Sequence, residues 1–377
     1  MFCNIKNIKL SLKFCVLLPS IFIPVTIVLD GSFSHIPIPQ TILNASKYPT
    51  HSTADFVIRP QFAIADYFSQ GLARVKINFN SKVGYINTRG KLTIAPQFEY
   101  ADNFSEGLAG ALVKNKWGFI DKTGKQIIKP LFDEFQAFSE GLAAVYIDEK
   151  WGFIDKTGKI IVEPQFDDVG SFSEGLAAYR IGENRGFIDK TGTRVIELQV
   201  RHVKSFSEEL AAVKIDNDSG KMGFIDRTGK LVIEPLFDEA WGFERGIARV
   251  KIGKQYGFID KQGKLVIEPS FDIAWDFSEG LARVRVDRKY GYIDRKGSWA
   301  IEPRFYVAQD FSGGVAAVKL GKKYGYINKQ GRFVLMPQFD YAGPITEGLG
   351  LVRIKGKLGF IRINNSSRDA AQGRWGR

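Results

Sequence analysis

Apolar residues along this chain alternate with polar ones in short runs, and the runs themselves recur. Residues 141–172, GLAAVYIDEKWGFIDKTGKIIVEPQFDDVGSF, carry the pattern in full. Leu142 to Ile147 predicts one strand and Lys150 to Asp155 a second, with Trp151 and Phe153 on one face. Asp155-Lys156-Thr157-Gly158 predicts a turn, in which aspartate bonds back to the backbone and glycine takes the position that tolerates positive φ. Lys159 to Val162 predicts a third strand, and its continuous apolar run implies burial on both faces. Pro164 is expected to stop the pairing because it has no N–H to give, and QFDDVGSFSEG then crosses to the next unit.

The unit is written nine times. Glycine recurs at Gly84, Gly118, Gly152, Gly186, Gly223, Gly257, Gly291, Gly325 and Gly359, at intervals of 34 residues broken once by 37. Its left neighbour is Trp117, Trp151, Tyr256, Tyr290 or Tyr324 in five units, with Val83, Arg185, Met222 and Leu358 as departures. Its right neighbour is always Phe or Tyr, followed by isoleucine. Helical repeats also run to 34 residues, but the several glycines per unit, and the absence of i, i+3, i+4 apolar spacing, exclude them here. A three-stranded meander of this size cannot bury a core alone, so the units must stack. The glycine between aromatics predicts a place where a neighbouring ring or backbone comes close. The Phe of each crossover, Phe104, Phe138 and Phe172 among them, predicts a plug between units. The expected fold is therefore all-β: about nine three-stranded meanders in an open solenoid or superhelix, since nothing marks a strand shared between first and last units. A closed propeller-like ring is the alternative.

KWGFIDKTGK stands intact at Lys116–Lys125 and Lys150–Lys159. With the P-x-F-D and F-S-E-G-L-A elements that follow, it resembles the bacterial WG-repeat proteins, also called KWG repeats. The resemblance covers Phe56 to Ile361. It implies an all-β repeat array, often exported, that serves in binding or scaffolding, and it brings no catalytic residues with it.

Composition narrows the chemistry. The only cysteines, Cys3 and Cys15, lie near the N-terminus, which leaves the repeats without a disulfide or a thiolate metal site. Of the histidines, His35 and His51 fall in a linker and only His202 lies in the repeats, so a histidine-based triad is excluded there. Lys6, Lys9 and Lys13 precede the 16-residue apolar run Phe14–Leu29, broken by Pro19 and Pro24. That layout predicts a signal peptide over 1–34, with an uncleaved signal anchor as the alternative. A proline-bearing linker follows over 35–55, the array fills 56–361, and a basic tail ends the chain at 362–377. Leader and tail account for +2 and +3 of the net +12, so the array carries a diffuse positive charge.

Two acidic series invite a catalytic reading. The turn aspartates, such as Asp121 and Asp155, each stand beside a basic residue and are needed by the turn itself, so no metal or cofactor is expected. The pairs Asp133-Glu134 and Asp167-Asp168 would serve a cell-wall polysaccharide hydrolase, which is the alternative function. They recur in unit after unit, whereas an active site is a single constellation, and solvated loop charge is the simpler account. The expected function is an exported, non-enzymatic binding or scaffold module, placed in the periplasm, at the cell surface or in the medium. Its partner would be a protein or an anionic envelope polymer, with no nucleic acid, and with a membrane only through the leader. One unit breaks the pattern. Between Gly186 and Gly223, Leu198 replaces the proline, Val200 the phenylalanine and Glu209 the glycine of EGLA. Arg201 and His202 stand where other units place acids, Arg185 replaces the aromatic, and Asn217–Gly220 is inserted. Arg185, Arg201 and His202 are the candidate ligand-binding residues; a decayed repeat is the competing explanation.

Overall fold

The computed structural model describes residues 55–215 and 220–363. The leader, all of the linker but Asp55, most of the insertion and nearly all of the basic tail lie outside the described residues. Within them, 36 strands form nine four-stranded antiparallel sheets. Eight sheets follow chain order, and we number them as blades: one is 64–98, two 100–132, three 134–166, four 168–198, five 200–237, six 239–271, seven 273–305 and eight 307–339. Blade nine takes Tyr341–Thr346, Leu349–Ile354 and Lys357–Arg362 from the end of the array and Asp55–Phe62 from its beginning. Asp55 pairs with Arg362 and Phe56 with Ile361, so the first strand closes the last sheet.

The array is thus a nine-bladed β-propeller ring, and the expected open solenoid is corrected. The strand that closes it has a sequence mark. Ile58-Arg59-Pro60-Gln61-Phe62 is a P-x-F element standing before the first WG unit, while the last unit, ending at Gly359-Phe360-Ile361, lacks one of its own. The start and end of the array are offset by one strand, so the first strand supplies the outer edge of the last blade and ties the two ends together.

Each unit has four strands, not three. The segment read as a crossover makes a short first strand, as where Asp168-Val169 pairs with Arg180 and Tyr179. Pro164 does not end the pairing either. Trp151 faces Phe166 and Phe153 faces Val162, so two residues on one strand oppose four on the other. The excess makes a bulge that carries Pro164 on an edge strand, where its missing N–H costs no ladder bond. Being an edge, this strand buries only one face: Ile160 and Ile161 are 39% and 36% exposed, and Val162 is buried. The bulge also explains the WG glycine. A Cβ at Gly152 would lie 2.6 Å from Val162 O and 2.7 Å from Pro164 N. The close approach is by the bulged strand of the same blade, not by a neighbouring unit.

The turn aspartates act as expected. Asp155 Oδ1 accepts the N–H groups of Thr157 at 2.8 Å and Lys159 at 3.0 Å, and Gly158 has φ 89°.

Three devices recur at the junctions between neighbouring blades, with departures such as Ile345 for the phenylalanine in blade nine and Glu244-Arg245 for Ser-Glu in blade six. The crossover phenylalanine packs on the aromatic of the preceding blade's G-F/Y-I, with Phe172 4.8 Å from Phe153 and Phe104 5.0 Å from Tyr85. Phe68 on Phe360, at 4.8 Å, repeats the contact across the seam. Such pairs contribute about 0.5–1.5 kcal/mol beyond the area they bury. Ser139 Oγ donates to Phe172 O of the next blade at 2.8 Å, again repeated. Finally, the glutamate of each S-E-G-L turn reaches forward. Glu106 accepts Gly141 N–H and the Lys156 ammonium of blade three, both at 3.0 Å, and Glu347 accepts Gly71 N–H across the seam.

Candidate functional site

The acids of the F-D-x element are structural. Lys116 pairs with Asp133, Lys150 with Asp167, Lys221 with Asp238 and Lys323 with Asp340, each at 2.5 Å. Asp167 also accepts Gly182 N–H, at 2.6 Å. The Lys150 ammonium first, then that N–H, hold the Asp167 carboxyl below its usual range. Asp167, Asp238 and Asp340 thus join the lysine of the preceding hairpin to a backbone N–H of the next one.

Blade four breaks this arrangement, and the geometry follows from its sequence. Leu198 supplies the N–H that proline withholds elsewhere, so the large bulge disappears and Arg185 pairs with Leu198 in plain register. The following strand, Val200–Val203, begins at the residue that elsewhere ends the preceding blade and runs four residues, against two residues in blade four and six residues in blade six. Arg185 Nη1 donates to Glu183 O at 3.0 Å and to Val200 O at 3.3 Å. Arg201 and His202 are exposed on that same strand.

Together they line a cleft of ≈ 500 Å³ between blades four and five. The structure thus brings Arg185, Arg201 and His202 to one place, and adds Arg180 from the second strand of blade four, with Asp168 as the one acid on the wall. Arg180 is 3.6 Å from Asp167, which is already engaged by Lys150. His202 is held below its ordinary pKa first by partial burial and then by Lys204 and Arg185, against a smaller upward pull from Asp168. A bound anion would raise the pKa of His202. Asn217, Asp218 and Ser219 of the insertion lie outside the described residues; Gly220 is the first residue after the gap.

Space exists here because the walls are small. Gly170 and Ala178 face the cleft from blade four and Ser205 from blade five. The same positions in blade six hold Trp241 and Arg249, and in blade seven Trp275 and Arg283. In each pair the guanidinium lies over the indole, at 3.9 Å and 3.7 Å, and an acid of the next blade, Asp276 or Asp310, flanks it at 3.2 Å or 3.0 Å. Sequence reading missed both Arg180 and this Trp–Arg series. The signal was present: Trp241 and Trp275 occupy a column where other units carry Asp, Gln, Gly or Lys.

A ring of nine such sheets, closed by its own first strand, defines a β-propeller assembled from a single repeated unit. The profile described as WG containing repeat matches nine times, at 52–78, 84–117, 117–151, 151–184, 186–217, 222–256, 256–290, 290–324 and 324–357, and the chain belongs to that family. No curated protein matches it. Among solved structures it is similar to a eukaryotic initiation factor, with a TM-score of 0.54 and 11% identity over 75% of this chain and 91% of that one. It also matches Hsv2p of Kluyveromyces lactis, with a TM-score of 0.39 and 9% identity over 60% and 92% of the two chains. The virginiamycin B lyase of Staphylococcus aureus follows at 0.34 and 14%, over 62% and 91%. At such identities the first likeness speaks for the fold alone.

Proposed function

We propose that the propeller is a non-enzymatic, exported binding module whose cleft between blades four and five receives an anionic group of a protein or envelope polymer. The observation that carries this reading is the gathering of Arg180, Arg185, Arg201 and His202 around one recess with a single opposing acid. Elsewhere in the ring the Lys–Asp pairs and the S-E-G-L glutamates bring opposite charges together, whereas the wall of this recess carries several basic side chains and one acid. The hydrolase reading is less well supported. A general acid needs a raised carboxyl pKa, and Asp167 is pushed the other way.

The test is a pull-down from envelope extract at low and high salt, with the natural chain and with Arg201→Asp combined with His202→Glu, which restores the acids of the other units. Recovery of an anionic partner should fall with the double substitution and with salt. An unchanged recovery profile in a folded variant refutes the proposed site. Export is tested separately: Met1–Ser34 fused to a reporter active only outside the cytoplasm should give signal.

A further inference from the structure

The cleft lacks something that other blade junctions possess. At five junctions among the described residues, a long side chain crosses to a carbonyl on the first strand of the next blade. Arg74 reaches Ala101 O at 2.6 Å, Gln136 reaches Val169 O at 2.8 Å and Lys204 reaches Ala240 O at 2.8 Å. Arg249 and Arg283 do the same to Ala274 O and Ala308 O. The equivalent carbonyl in the cleft is that of Val203. Its direction follows from the peptide plane: Lys204 N–H donates inward to Ala212 O at 2.9 Å, so the Val203 C=O of the same peptide points off the free edge of the sheet. The two positions that supply the crossing side chain elsewhere are here Gly170 and Ala178, too short to reach, and no side chain of the described residues donates to it. The ammonium of Lys204 is not available, being committed to Ala240 O and to the face of Trp241 at 4.6 Å.

A ligand filling this space meets two demands at once. It must offer a hydrogen-bond donor to Val203 O, and it must tolerate Arg180 and Arg185. An ammonium or guanidinium donor is repelled by those cations, so the donor is neutral. A hydroxyl meets that requirement, and the guanidinium groups favour a carboxylate on the same molecule. We propose that the cleft binds an acidic sugar of the uronate type, one hydroxyl taking the place of the missing crossing side chain on Val203 O and the carboxylate meeting Arg180 and Arg185. Its volume of ≈ 500 Å³ lies in the range of small-molecule sites. This rests on the anion-binding reading above and narrows it.

The ring contains its own competitor for the test. Gly170→Gln copies Gln136, and should fill the cleft and donate to Val203 O through a neutral amide; Ala178→Gln, at the position of Arg249 and Arg283, serves should the first variant not fold. Calorimetric titration uses trigalacturonate, triglutamate and an uncharged trisaccharide against the natural chain and these variants. Trigalacturonate should bind at least tenfold more tightly than triglutamate, the neutral sugar should not bind, and either filled-cleft variant should lose trigalacturonate tenfold or more at an unchanged melting temperature. Equal affinity for trigalacturonate and triglutamate overturns the sugar assignment while leaving an anion site standing. Undiminished binding of trigalacturonate by a folded, filled-cleft variant moves the ligand elsewhere and overturns it as well. Failure of both anions to bind the natural chain overturns this proposal, and a pull-down that still depends on Arg201 and His202 would then keep the broader reading alive.

Discussion

Replacing Gly152 by alanine adds one carbon, and the structure says where it must go. The new Cβ would lie 2.6 Å from Val162 O, 2.7 Å from Pro164 N and 3.0 Å from Glu163 C, all backbone atoms of the bulged edge strand. None can swing aside as a side chain would. The bulge has to move outward, and overpacking of this kind costs about 1–3 kcal/mol. For a domain of this size, about 2 °C of melting temperature per kcal/mol gives a fall of about 2–6 °C. The matched control is Gly170→Ala, where the nearest atoms are Ala178 Cβ at 3.6 Å and Ser205 Oγ at 3.7 Å. That carbon makes ordinary contacts, and the lost chain entropy of the unfolded state makes the change neutral or stabilising by about 0.4–1 kcal/mol. Thermal melts of the two variants beside the natural chain decide the matter. Equal shifts for both would refute the claim that the bulge, rather than glycine's general flexibility, requires the WG glycine.

Two further predictions address the ring as a whole. Phe68→Ala removes the aromatic that packs on Phe360 across the seam and should cost about 3–5 kcal/mol, measured by urea unfolding; a loss below 1 kcal/mol would mean the seam is held by its strand pairing alone. Glu106, Glu140 and Glu208 are raised by burial, but the bonds from Lys156, Lys190 and Lys261 and from turn N–H groups outweigh it and leave them below the ordinary carboxylate range. Their folded values lie under the unfolded value of about 4.3, so their contribution is complete above that pH and is lost as pH falls through the depressed values. Melting temperature at constant ionic strength should therefore hold from pH 7 to about 5 and drop below about 4.3; a drop beginning near pH 6 would point to a different group.

Much of this molecule was legible in the amino-acid pattern because period and turn chemistry are local. Leu142–Ile147 and Lys150–Asp155 fall where alternation puts them, and Asp155 and Gly158 make the turn they spell. What failed was non-local. A two-residue strand such as Asp168-Val169 carries no periodicity of its own and exists only because Tyr179 and Arg180 lie opposite. Pro164 was read as a stop because a sequence does not say that its strand is an edge with a bulge to spare. Ring closure turned on noticing that Pro60-Gln61-Phe62 is an orphaned fourth strand. At the cleft, charge reversal at Arg201 and His202 was visible, whereas Val203 O is a backbone atom whose want of a side-chain donor among the described residues appears only beside the neighbouring blades.

The seam also sets a time. Asp55–Phe62 is among the first parts of the propeller to be made, and its partner Lys357–Arg362 is among the last. Until both exist, the early strand has no sheet to join and blade nine has an open flank, so closing the ring joins segments separated by nearly the whole array. Contacts of such sequence separation are slow to form, and the waiting edges are open to pairing with other chains. Once made, the same joint works in reverse: fraying cannot begin at a terminal repeat, as it does in an open array, because neither end of the chain leaves a repeat uncovered. A protein of this design would be expected to fold late and then to unfold slowly.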